Sequence, residues 1–300
     1  MVKALSPGSM GELFQGYFKD TEVLVSLTIG RYSEMEVFFK KEPFELWEKE
    51  EKGKGAQKLW KSAKALEIAL EEWGFKNLKG KISFRRRKAL PEGKGFASST
   101  ADIAALLGAL SRLLGRKISE EEIARIALKI EPTDSTLFSD FCVFDHISGR
   151  VVIRFPVPRY LGVVVCEFPG KVETLEVDRG RLRKNWLYFA KEVRRALDMI
   201  QKGLEEGDLS LIGRAATLSG SILQEVSRER LFDLLREEMR YIGALGVNRA
   251  HTGKAVGVLF DRRIYPDAEM LRRVKECLQK EKVNCWVTGA VRGGVRVIKL

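Results

Sequence analysis

Residues 91–101 read Pro91-Glu92-Gly93-Lys94-Gly95-Phe96-Ala97-Ser98-Ser99-Thr100-Ala101. The glycines let the backbone approach a ligand closely and turn its N–H groups outward. Ser98, Ser99 and Thr100 follow at once, at the head of an apolar-striped segment (Ile103, Leu106, Leu107, Leu110, Leu113, Leu114) that reads as a helix ending at Gly115. A helix N-terminus carries partial positive charge and unpaired N–H groups. The stretch is therefore an anion cradle suited to phosphate, with a serine hydroxyl placed to reach a bound Mg²⁺. It is not a Walker A loop, because G-x-x-x-x-G-K-[ST] occurs nowhere in the chain. Taken alone, the same residues also suit an ordinary loop closed by a serine N-cap. The rest of the chain has to decide.

Working outward, residues 22–29 and 34–39 are rich in β-branched and apolar side chains and read as strands, as does 79–88. Residues 40–55 are charged and Gly-containing and read as an exposed connection, followed by a helix from Ala56 to Trp73. Ser119 and Glu122 form a capping-box pair ahead of a helix to about Ile130. Residues 141–155 read as two strands joined near Ser148-Gly149, and Pro156-Val157-Pro158 is the expected boundary between domains 1–156 and 157–300. Beyond it the patterns give a strand at 161–167, helices at 182–206, 208–226 and 229–245, a strand at 254–260, a helix at 266–281 and a C-terminal strand at 283–299. Runs of strands mixed with runs of helices, not strict alternation, predict an α+β fold in two lobes.

Composition narrows the partners. The chain holds 53 Lys and Arg against 41 Asp and Glu, a formal net charge of +12, which suits an anionic partner without choosing among them. No zinc-finger or aromatic-basic consensus accompanies the charge, and the basic residues are interleaved with Glu, as at 47–54 and 119–125, so a basic RNA-binding protein is the weaker reading. No apolar run approaches the roughly 20 residues of a membrane-spanning helix, and no signal-peptide h-region opens the chain, so a cytoplasmic protein is expected. Cys142, Cys166, Cys277 and Cys285 are scattered, without a C-x-x-C pair, and read as reduced core thiols. With only His146 and His251 in 300 residues, a histidine-built zinc site is not expected.

Two further segments give the cradle its company. Residues 5–16 read Leu-Ser-Pro-Gly-Ser-Met-Gly-Glu-Leu-Phe-Gln-Gly, near the start and ahead of a strand, and residues 250–260 read Ala-His-Thr-Gly-Lys-Ala-Val-Gly-Val-Leu-Phe. Together with 91–101, in this order and spacing, they resemble the three motifs of the GHMP small-molecule kinases, the third in degenerate form. Within that family the resemblance runs nearest to the members that phosphorylate L-threonine in cobalamin biosynthesis. It rests on Ser6-Pro7-Gly8-Ser9 with Gly11-Glu12, on Gly93-Lys94-Gly95 with residues 97–103, and on residues 131–136 with Phe144-Asp145-His146.

The resemblance implies a two-lobed α+β fold with an N-terminal ribosomal-protein-like lobe and a C-terminal α/β sandwich lobe, nucleotide and acceptor meeting between them. It implies ATP and Mg²⁺ as cofactors, L-threonine as the small-molecule substrate and a γ-phosphoryl transfer to its hydroxyl. O-phospho-L-threonine would then supply the aminopropanol arm of the corrinoid. Another kinase of the family, such as a homoserine kinase, is the alternative. Neither a membrane nor a nucleic acid is an implied partner.

By the same resemblance, ATP phosphates fall to Pro91, Gly93, Lys94, Gly95, Phe96, Ala97, Ser98, Ser99 and Thr100, Mg²⁺ to Ser99 and Glu131, and the base role to Asp134. Phosphoryl transfer needs both a metal on the transferring oxygens and a group that orients or deprotonates the acceptor hydroxyl. Asp134 with Ser135 and Thr136 also fits a simple cap for the next turn. Ser9, Gly11, Glu12, His251, Thr252 and Gly253 are the substrate-side residues. The chain departs from the mevalonate and galactose kinases in carrying Ser9 where they tend to place Lys or Arg, so no first-motif lysine role transfers. His146 and Thr174 read as structural, and Arg85-Arg86-Arg87-Lys88 as a solvated strand end with one arginine within possible reach of a phosphate.

Overall fold

In the computed structural model, which describes residues 1–40, 59–167, 178–250, 253 and 255–298, the helices pack on one antiparallel sheet. Its centre is a long hairpin of β1 (Val2–Phe18) and β2 (Thr21–Phe39), paired from Val2↔Val37 to Phe18↔Thr21. Lys19 (φ 46°) and Asp20 (φ 64°) make the two-residue turn, with both central residues at positive φ as a tight hairpin of this twist requires. Around it stand β3 (Ile82–Lys88), β4 (Phe141–Asp145), β5 (Val151–Phe155), β6 (Leu161–Glu167), β7 (Gly246–Arg249), β8 (Ala255–Asp261), β9 (Asn284–Gly289) and β10 (Arg296–Ile298). The order is β5-β4-β2-β1-β7-β8-β6-β9, with β3 also on β2 and β10 also on β1. The early strands meet the late ones on β1, through the single pair Glu12↔Arg249 with β7 and through Lys3↔Ile298 to Leu5↔Arg296 with β10.

The helices are α1 (Trp60–Glu72), α2 (Ser98–Leu113), α3 (Glu120–Leu128), α4 (Arg179–Tyr188), α5 (Ala190–Glu206), α6 (Leu209–Gln224), α7 (Arg230–Ile242) and α8 (Asp267–Cys277). Helix α2 is buried from Thr100 through Ser111 and packs on β1 and β2 with α1 and α3 around it. Each large apolar side chain enclosed this way contributes roughly 1.5–3 kcal/mol, which is what holds the cradle's helix rigidly to the sheet. A second cluster gathers β1, β6 and α4–α6, and a third seats α7 and α8 on β6–β9. Ser119 caps α3 by accepting the Glu122 N–H at 3.1 Å, while the Glu122 carboxylate bonds Trp73 and Arg116.

The α+β class is as expected, and several boundaries differ. Residues 5–16 do not precede a strand but lie inside β1. Pro7, Gly8 and Gly11 disguise it, and the register shifts near these residues show that bulges accommodate them. The helix expected over 182–206 breaks at Phe189 (φ −95°, ψ 33°), where no Gly or Pro marks the change. Both halves bury apolar stripes in one cluster, so tertiary packing sets the break. The C-terminal strand is two: β9 pairs with β6, and after Gly293-Gly294 (Gly294 at φ 76°) β10 crosses to β1. The four-residue β7 follows directly on the helix expected over 229–245, in a stretch to which the sequence patterns assign no element. Most of the connection expected at 40–55, and Thr174, lie outside the described residues. No helix among the described residues is long and apolar enough to cross a membrane.

Candidate active site

The cradle forms where three distant segments touch. Gly93 (φ 66°), Gly95 (φ 86°) and Ala97 (φ 53°) have positive φ, and Lys94 and Phe96 between them do not. That alternation turns successive N–H groups toward one side, the geometry of an anion-binding nest. Ala97 pays for a left-handed conformation as a non-glycine residue, about 1 kcal/mol or more, so its surroundings must hold it there. They do: the Ser9 N–H donates to Phe96 O at 3.1 Å and the Gly11 N–H to Gly95 O at 3.3 Å. The Ser9 hydroxyl also donates to Gly95 O, at 3.3 Å. From the other side Gly253 (φ 149°) lies so close that a Cβ there would stand 2.3 Å from the Lys94 carbonyl carbon. Gly11 (φ 56°) is equally constrained, since its Cβ would fall 2.6 Å from Ala250 N.

Ala97 is the N-cap of α2 and supplies no side-chain cap. The first-turn N–H groups of a 16-residue helix therefore face the cleft with the Ser98 and Ser99 side chains beside them. The cleft is lined by Glu12, Gly93, Gly95, Phe96, Ala97, Ser98, Ser99, Thr100, Glu131, Pro132 and Asp134, and its cavity volume is about 70 Å³. Residues as distant in sequence as Glu12, Ser99 and Asp134 thus share one wall. Pro91 and Lys94 belong to the same turn but stand outside that lining. Ser9 is buried and works as a strap on the loop, and Phe96 is a core side chain. His251 and Thr252 lie outside the described residues.

Glu131 and Asp134 leave the end of α3 on the loop across from Ser99. Glu131 is buried; its Oε2 accepts from Lys61 Nζ at 2.5 Å, and its Oε1 has no hydrogen-bond partner. The Lys61 ammonium also stands 3.3 Å from Ser99 Oγ. Two hard oxygen donors already converge on one cation, and an orphaned carboxylate oxygen remains beside them. That set fits Mg²⁺, which takes one or two protein oxygens and completes its shell with phosphate and water. Among the described residues no group of three or more His, Cys, Asp and Glu offers an all-protein metal cage.

Asp134 precedes a short 3₁₀ turn at 135–137 yet makes no capping hydrogen bond, which removes the simple cap reading. Its Oδ1 accepts from the Ser26 hydroxyl at 3.4 Å and its Oδ2 from the Thr100 hydroxyl at 3.3 Å. Ser26 and Ser135 exchange hydrogen bonds (2.9 and 3.2 Å) that pin this loop to β2. Thr100, expected on phosphate, thus commits its hydroxyl to Asp134 and Thr133. Burial pushes the Asp134 carboxyl up to about 6; the nearby Glu131 charge acts in the same direction, and His146 with the two hydroxyls acts against it.

The arginine run does not meet the cleft as a phosphate ligand. Arg86 ties Asp102 of α2 (2.7 Å) to Glu92 of the loop (2.8 Å), and the Ser33 hydroxyl bonds Asp102 at 2.5 Å. Arg85, Arg87 and Lys3 surround the buried Glu36 and hold its carboxyl, against the upward push of burial, at about 2. His146 is buried, 3.2 Å from Arg179 and 3.5 Å from Glu22, as a structural histidine would be. Sequence reading missed Lys61 altogether: its partner is 70 residues away, and nothing in the helical pattern of 60–72 distinguishes it from other surface lysines.

Comparison with known proteins shows the family of the chain. Residues 58–144 match the family model described as GHMP kinases N terminal domain. An L-threonine kinase of Citrobacter freundii is 31% identical over 268 residues, covering 87% of each chain. An L-threonine kinase of Salmonella typhimurium is 29% identical over 304 residues, 98% of this chain and 95% of the relative. Among solved structures, a homoserine kinase from Cytophaga hutchinsonii superposes with a TM-score of 0.71 at 17% identity, over 99% of this chain and 97% of that one. At that identity the likeness is one of fold.

Proposed function

The chain belongs to the GHMP kinase family, and from that premise we propose that it transfers the γ-phosphoryl group of ATP to the side-chain hydroxyl of L-threonine. The observation that carries the proposal is the meeting of the nest, the open first turn of α2, Glu131 and Asp134 around one cleft. The L-threonine acceptor is supported by the two relatives that bear that activity in their names over most of this chain.

In this reading the N–H groups of the loop and of the first turn of α2 bind the phosphate oxygens and keep them fixed. Ser99 and Glu131 would hold Mg²⁺, which when bound neutralises charge on the β- and γ-phosphate oxygens. Asp134 orients the threonine hydroxyl and takes its proton. The threonine oxygen then forms its bond to the γ-phosphorus as the bond to the β–γ bridging oxygen breaks, and ADP leaves. A carboxyl at about 6 is mostly ionised at neutral pH yet basic enough to receive that proton. Ser26 and Thr100 fix its two oxygens, so the base does not have to be oriented during the reaction. The product, O-phospho-L-threonine, fits a supply role for the aminopropanol arm of a corrinoid.

The test is phosphorus NMR of the full chain with Mg·ATP and L-threonine. A phosphomonoester on the threonine oxygen, formed with stoichiometric ADP, is expected. Free inorganic phosphate with no ester, or an ester formed only from L-homoserine, overturns the assignment.

A further inference from the structure

The cleft proposed for ATP has an electrostatic deficit. Among the described residues lining it, Glu12, Glu131 and Asp134 are acidic and none is Lys or Arg. Ser9, a neutral side chain, brings no charge, and its hydroxyl is committed to Gly95 O. A triphosphate bearing three to four negative charges would enter a pocket of carboxylates. Backbone N–H groups answer part of that, and a bound metal another part; just behind the lining, the Lys61 ammonium stands 3.3 Å from the hydroxyl of the lining residue Ser99.

Lys61 lies on α1 one turn before the fully buried Ala65, so the face of α1 that packs toward α2 also carries this side chain. Its ammonium is 3.3 Å from Ser99 Oγ and 2.5 Å from Glu131 Oε2, and the side chain keeps 21% of its exposure. Ser99 is in the first turn of α2, where the anion is to bind. A lysine here is a compact point charge with three donors on a flexible stem; bonding Glu131 and Ser99 leaves the ammonium one donor more. We propose that Lys61 is a nucleotide-phosphate ligand, held over the cradle by Glu131 until the triphosphate enters. The inference rests on the kinase reading above and deepens it. The alternative is that Lys61 only neutralises Glu131 and never touches nucleotide.

Calorimetric binding of ATP to the full chain in EDTA separates the two, because it removes metal and turnover from the readout. Lys61→Met is expected to weaken metal-free ATP binding by roughly ten- to a hundred-fold, the range for losing one charge-assisted hydrogen bond. Lys61→Arg, which keeps the charge, is expected to retain affinity within about threefold of wild type. The loss must persist in the Glu131→Gln background, where there is no carboxylate left to neutralise, and adenosine affinity must stay unchanged. If Lys61→Met does not fold, Lys61→Gln against Lys61→Arg makes the same comparison. Wild-type binding with undiminished binding by Lys61→Met, or a loss that vanishes in the Glu131→Gln background, overturns this inference alone. No ATP binding by wild type overturns it together with the kinase reading.

Discussion

Replacing Asp134 by Asn should make the folded chain more stable at neutral pH while it stops turnover. In the fold the carboxyl is pushed up to about 6, from an ordinary 3.8, by burial first and by the Glu131 charge. A raised acid pKa means that the fold favours the protonated form and that ionisation works against folding. Below pH ~4 the group is protonated in both states and contributes nothing. Between pH ~4 and ~6 the folded state resists ionisation while the unfolded chain does not, and the penalty grows. Above pH ~6 it is fully present, and a gap of roughly two pKa units corresponds to about 3 kcal/mol. Asn recovers less than that, because one of the hydroxyls of Ser26 and Thr100 must turn round to face an amide N–H₂. That reversal costs about 1 kcal/mol, so a net gain of about 1–3 kcal/mol is expected. Urea unfolding of both chains at pH 4, 5, 6, 7 and 8 measures it. Near pH 4, where the ionisation penalty is absent, Asp134→Asn should be the less stable by about 1 kcal/mol, and the order should reverse in its favour by pH 7. A variant less stable than wild type at pH 7, or a difference independent of pH, refutes the reasoning.

Three further outcomes follow from the same geometry. If Asp134 must be ionised to accept the hydroxyl proton, kcat/KM should fall as pH drops through about 6, and a pH–rate profile of wild type with a flat acid side from pH 5 to 8 would exclude it. Ser99→Ala and Glu131→Gln should each lower turnover by roughly 10²–10³-fold and move the Mg²⁺ requirement upward, with unchanged circular dichroism; a Mg²⁺ titration identical to wild type would remove both from the metal's surroundings. Gly253→Ala places a methyl 2.3 Å from the Lys94 carbonyl carbon at a φ of 149°, so the loop must shift; the KM for ATP should rise by about tenfold or more, read from initial rates, and an unchanged KM would mean the contact does not position the loop.

Residues 91–101 could be picked out because the glycines, the hydroxyls and the start of the helix are local, although the distant segments that hold the loop, at Ser9, Gly11 and Gly253, are not. Glycines, hydroxyls and an apolar stripe follow one another, and each acts on its own neighbours. The helix that leads to Glu131 and Asp134 is marked by its capping pair, Ser119 and Glu122, but local sequence left Asp134 equally suited to a simple cap, and the metal and base roles came from the family resemblance. What was not local was not legible. Lys61 acquires its place only when α1 docks on α2. Thr100 looks like a phosphate residue until the fold brings Thr133 and Asp134 to its hydroxyl. The run of arginines at 85–87 looks like a solvated strand end, and Glu36, Asp102 and Glu92 turn it into an internal brace. In the fold, β1 was hidden by Pro7, Gly8 and Gly11, residues that ordinarily end strands, because a bulged strand tolerates them where a regular one does not. The break at Phe189 carries no breaker residue at all, since packing of α4 and α5 on a shared cluster decides it.

The most direct measurement is ADP release with Mg·ATP across L-threonine, L-serine, L-homoserine, mevalonate and galactose, with Asp134→Asn run alongside. Turnover on L-threonine above the other four, lost in the variant, is the predicted result. Preferred turnover on another alcohol, or turnover on L-threonine that survives Asp134→Asn, would contradict the account.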